Sequence, residues 1–200
     1  MINENELIKL IKGLCLDDKV LLSDIPDLKL YMDQVTNFID EKLGNLKRHE
    51  DDKILTKTMI NNYTKQGLLM PPKNKKYTKQ HIILMILVYY LKQILTLDDI
   101  KELFNPILKD MTDTEDDVIS LNDIYSIFLE LKDNEIDDFE DSISRNIHSI
   151  KEKVDNLDSE SQNLAQLFLI VIMLVAQANA QKRLAEKIID TYFKNTDYGK

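Results

Sequence analysis

Thr58, Asn61, Asn62 and Lys65 fall within a short polar stretch, Lys57–Gln66, whose side chains carry hydrogen-bond donors and acceptors rather than nucleophiles or metal ligands. Those residue types suit contact with base edges: Asn pairs with the adenine edge through two hydrogen bonds, and Thr and Lys reach acceptors in the major groove. A helix carrying them must be short and polar outside and apolar inside, and Ile60 and Tyr63 supply the inner face. Downstream, Lys73, Lys75, Lys76 and Lys79 crowd around Pro71-Pro72. Together with Lys57 they are the candidate phosphate contacts, which fix register on a duplex without reading its sequence.

The charge distribution supports the same reading. The chain has a net charge of −9, which taken alone argues against nucleic acid. Yet Lys53–Leu97 holds eight lysines and no Asp or Glu, among 35 acids in the whole chain. Such asymmetry marks a local electropositive surface on an acidic body.

Competing chemistries are poorly represented. Cys15 is the one cysteine, so an internal disulfide and a Cys-based zinc site are both excluded. His49, His81 and His148 show no metal-ligand spacing and are expected at the surface or in helix caps. The acidic clusters Asp113–Asp117 and Asp133–Asp141 lack the Gly and terminal Glu of a calcium loop. No phosphate-binding Gly-rich loop or nucleophile motif is present. The expectation is a protein that is not an enzyme and needs no metal or cofactor.

The elements that would position these residues are helical. Four Gly and four Pro in 200 residues are too few for an all-β fold. A short helix is expected over residues 3–12, ending at Gly13, and a second over Leu28–Leu43, with Gly44 as its C-cap. Thr56 caps the polar helix and Gly67 stops it. Met70–Tyr77 reads as an exposed loop or small β-hairpin, since Pro71-Pro72 fits neither a helix nor a central strand. Thr78 opens a core helix, apolar on every face, that runs to Leu95, and Thr96 opens another to about Leu108. Beyond the acidic stretch Asp110–Asp117, helices are expected near Leu121–Leu131, over Ile136–Val154 and over Ser161–Phe193. The fold class is therefore all-α, with a helix-turn-helix-like head over 1–109 and a helical, dimer-forming region over 110–200.

Two resemblances sharpen this. Tyr63, Gly67, Leu68, Leu69, Pro71, Tyr77, Leu97 and Ile100 fall where the DNA-binding head of MerR-type regulators carries its matching residues. That resemblance implies a winged helix-turn-helix. The runs Leu30–Val35 and Leu55–Tyr63 are similar to a YkrK-type bacterial domain family of unknown function, over about residues 25–105. That resemblance implies a transcription regulator and transfers no catalytic residue. The 23 Lys against 3 Arg also suit an A·T-rich bacterial genome. Where MerR-type recognition helices usually carry Arg, this chain has Asn61, and its wing carries only lysines. The expected partner is accordingly A·T-rich double-stranded DNA, bound by a homodimer. The rival expectation is a protein–protein adaptor with a degenerate head.

No membrane anchor is expected. Residues 1–10 carry Glu4, Glu6 and Lys9 instead of a leader pattern. Leu167–Ala176, the most apolar run, is shorter than the ~20 residues a span requires. The expected location is the cytoplasm.

Overall fold

The computed structural model describes residues 4–110, 120–155 and 157–194. The elements run α1 (Glu4–Lys12), β1 (Leu30–Tyr31), α2 (Met32–Leu43), α3 (Lys57–Lys65), β2 (Lys76–Tyr77), α4 (Lys79–Leu91), α5 (Leu97–Asp110), α6 (Leu121–Val154) and α7 (Ser159–Tyr192). The all-α class holds, because helices dominate and the two strands among the described residues span two residues each.

Two compact units divide the chain, one formed by residues 1–17 and 130–183, the other by 18–129 and 184–200. These boundaries differ from the expected break between 109 and 110. Leu7 and Ile11 of α1 join a core with Ile143, Ile147, Ile150, Val154 and Ile170, so the N-terminus groups with the helical region instead of the head. Ile189, near the end of α7, is buried in the other core. The acidic stretch expected to mark the boundary lies, from residue 111 to 117, outside the described residues.

Within residues 18–129 the centre is α4. Every side chain from His81 to Val88 is buried, which is why the helix needs no polar face. Val35, Ile39 and Leu43 of α2, Ile60 and Tyr63 of α3, and Ile100 and Phe104 of α5 belong to the same core. Tyr125 lies there too, its hydroxyl donating to the Val20 carbonyl at 2.7 Å.

α6 is one helix of 34 residues where two were expected. The polar Lys132–Glu135 stretch joins them, since no Gly or Pro interrupts 121–154, and Lys, Asp, Asn and Glu can all continue a helix. The Lys132 ammonium donates to the Leu16 carbonyl.

α7 is exposed over much of its apolar first half, including Leu164, Phe168, Val171 and Val175. By length and composition alone it is long and apolar enough to cross a membrane, a longer span than the run Leu167–Ala176 by itself.

Candidate nucleic-acid interface

α3 forms where its local signals place it. The Met59 N–H donates to the Thr56 hydroxyl at 3.1 Å, satisfying one of the open donors of the first turn. At the other end Gly67 adopts φ +77°, and the Leu68 and Gly67 N–H groups donate back to the carbonyls of Tyr63 (2.8 Å) and Thr64 (3.2 Å). This double closure needs a left-handed residue, which glycine takes without steric cost.

With both ends fixed, the rotation of α3 follows from its apolar side. Ile60 and Tyr63 are buried, and Met59 and Thr64 are half-buried. Thr58, Asn61, Asn62 and Lys65 are all exposed, one i, i+3, i+4, i+7 row on the opposite face. The structure therefore brings the four candidate base-reading residues together on one surface.

The lysine loop is a tight hairpin. Asn74 (φ +55°) and Lys75 (φ +60°) form its two-residue tip, closed by the Lys76 N–H donating to the Lys73 carbonyl at 3.1 Å. Positive φ at both central positions defines a type I′ turn, whose twist matches that of the flanking strands. β2 then pairs antiparallel with β1, Leu30 opposite Tyr77 and Tyr31 opposite Lys76. β1 has no signature in the sequence, because a two-residue strand has no periodicity and depends on partners 47 and 45 positions away.

The lysines separate by environment. Lys73 and Lys75 are exposed, and among the described residues neither has an ion-pair partner. The Lys76 ammonium lies 5.1 Å from the centre of the Tyr31 ring, a cation–π contact that leaves its charge unneutralised. Lys57 pairs with Asp33, and Lys79 with Asp27 at 3.4 Å. The acid-free run in sequence is thus not acid-free in space, since carboxylates around the start of α2 reach into it. Lys57 through Asp33 and Lys76 through Tyr31 also meet that same end of α2, which relates α3 to the hairpin.

His81 supports the interface from below. It is buried instead of lying at the surface, and its Nδ1 accepts the Thr78 N–H at 3.2 Å, so it is a cap as well. Its Nε2 lies 3.2 Å from the Met70 carbonyl, which places the ring proton on Nε2 and ties α4 to the approach of the hairpin. Tyr77 meets the ring edge-on at 5.6 Å. Burial pushes the imidazole below its ordinary pKa, against the weaker opposing effect of the Met70 and Pro71 carbonyls.

The family described as "Domain of unknown function (DUF1836)" matches residues 20–128. The chain belongs to this family. The matched span takes in β1 through α5 and the start of α6, and so nearly coincides with the 18–129 part of one compact unit. Every candidate contact residue lies inside it. No curated protein and no solved structure matches the chain.

Proposed function

We propose that this member of the family is a sequence-specific DNA-binding transcriptional regulator, with α2 and α3 as a helix-turn-helix-like pair and the Lys73–Tyr77 hairpin as its wing. The observation that carries the reading is the exposed row Thr58, Asn61, Asn62 and Lys65 on a capped helix, together with a hairpin whose Lys73 and Lys75 have no ion-pair partner among the described residues. Lys73, Lys75 and Lys76 grip phosphates. Lys57 and Lys79 join them by exchanging exposed carboxylates, Asp33 and Asp27, for phosphate oxygens. Exposed ion pairs of this kind contribute only ~0–1 kcal/mol, so the exchange costs little. Asn61 and Asn62 favour adenine, and hence A·T-rich sites. Titrating labelled A·T-rich and G·C-rich duplexes of equal length with the full chain tests this: preference for the former supports base reading, and equal affinity removes it.

Reading two half-sites calls for a two-fold partner. The heptad-spaced row Leu164, Phe168, Val171 and Val175 of α7, each 55–71% exposed, supports a second copy as that partner. Burying each of these side chains is worth on the order of 1 kcal/mol per copy. Sedimentation of the full chain reads out the result, and a monomer at micromolar concentration contradicts it. The adaptor reading draws on the same exposed face, and it predicts no salt-dependent affinity for any duplex.

A further inference from the structure

A cavity of about 340 Å³ opens beside the C-terminal end of α4, among the residues of the 18–129 unit. Lys47, Arg48, Lys53 and Lys92 line it against one carboxylate, Asp52. Lys47 is already met by Asp40 at 2.6 Å. Arg48, Lys53 and Lys92 have no ion-pair partner among the described residues.

Lys92 is the informative member. It is half-buried, with Met59 Sδ at 3.9 Å and the Tyr89 ring centre at 5.8 Å as its neighbours. Burial alone pulls its ammonium below the ordinary lysine range. A partly desolvated cation facing a sulfur and a ring lacks the counter-charge such groups ordinarily find. The cavity it lines has a volume in the range of small-ligand sites.

We propose that this cavity binds a small phosphorylated ligand, its phosphate held by Arg48, Lys53 and Lys92 and its remainder set against the Tyr89 ring. Three unmatched cations exceed what one carboxylate would neutralise, whereas a phosphate dianion offers three acceptor oxygens to donors from several directions. Arg48 adds the planar fork that suits such an anion. Lys92 also touches Met59, on α3, so drawing its ammonium toward a phosphate alters a contact beneath the exposed row. That last coupling rests on the DNA-binding reading, while the chemistry of the cavity does not.

The test uses the full chain with inorganic phosphate and adenosine 5′-monophosphate as probes, followed by phosphorus NMR and by backbone amide shifts. Saturable binding tighter than about 1 mM is expected, with shifts at Ile54, Tyr89 and Gln93 and tighter binding of the nucleotide. Lys92→Met keeps the aliphatic stem and should weaken both probes at least tenfold, while Lys75→Gly should leave them unchanged. Melting of Lys92→Met checks that the fold persists. Absence of saturable binding, or binding untouched by Lys92→Met, overturns the proposal. So does loss of binding in Lys75→Gly, which would move the anion to the hairpin. If Lys92→Met instead loses duplex affinity as fully as Lys75→Gly does, the cavity is a backbone contact of DNA and the small-ligand proposal fails. A chain that binds phosphate here but no duplex refutes the DNA reading and leaves the cavity's chemistry standing.

Discussion

Lys75→Gly separates what the hairpin does for the fold from what it does for binding. Lys75 sits at φ +60°, where an L-residue pays roughly 1–2 kcal/mol through the approach of its Cβ to the following carbonyl. Glycine removes that cost but gives back about 0.5–1 kcal/mol in unfolded-state entropy. The variant should therefore be more stable by about 0.5–1 kcal/mol, which for a chain of this size raises Tm by about 1–4 °C. The same substitution deletes an exposed ammonium that has no ion-pair partner among the described residues. In a dimer that removes two phosphate contacts, so the slope of log K against log salt should become shallower by about 2. Stability and affinity thus move in opposite directions, one read by calorimetric melting and the other by fluorescence anisotropy over a salt series. Lys75→Ala should lose the same slope without the gain in Tm. A fall in Tm for Lys75→Gly would refute the turn assignment, and an unchanged slope would refute the placing of this residue on DNA.

Three further outcomes follow from particular contacts. Replacing Asn61 and Asn62 with Ala should abolish the preference between A·T-rich and G·C-rich duplexes, at about 1–3 kcal/mol for each reading pair lost, while the salt slope stays as it was. Tyr125→Phe keeps the buried ring but leaves the Val20 carbonyl without its donor, so urea unfolding should show a loss of about 1–3 kcal/mol. Burial holds His81 below the ordinary value of 6.5, so the unfolded chain takes up a proton that the folded chain resists. Stability should therefore be complete above about pH 6.5 and fall as the pH drops through and below that value. His81→Gln retains an acceptor for the Thr78 N–H and should flatten this fall, as measured by melting between about pH 7 and 5. The Asp99 carboxyl, held below its usual range mainly by the Thr96 hydroxyl, acts only at lower pH and does not blur the result.

How far the sequence could be read depended on the range of the forces involved. Thr56, Gly67 and Thr78 act on atoms within a few residues of themselves, and the bounds of α3 and the start of α4 followed from them. The core character of α4 was equally plain, because a run apolar on every face, set among short amphipathic helices, calls for enclosure on all sides. The exposed row on α3 was legible once Ile60 and Tyr63 were set inward. What depended on distant partners was not legible. β1 exists because Tyr77 and Lys76 return to it, and Asp27 and Asp33 meet Lys79 and Lys57 only in three dimensions. His81 is a cap, one of the two places expected for it, but its burial was not legible because nothing local announces that its Nε2 will find the Met70 carbonyl. The joining of Leu121–Leu131 to Ile136–Val154 was illegible for another reason: the apolar spacing lapses over the polar residues 132–135, although none of them stops a helix.

The central claim is that the α3 row and the lysine hairpin meet DNA, and salt dependence tests it most directly. With the five lysines Lys57, Lys73, Lys75, Lys76 and Lys79 of each subunit neutralising phosphates in a dimer, log K for an A·T-rich duplex plotted against log salt should slope at about −9. A duplex affinity that is absent at low salt, or that does not change with salt, would contradict the account.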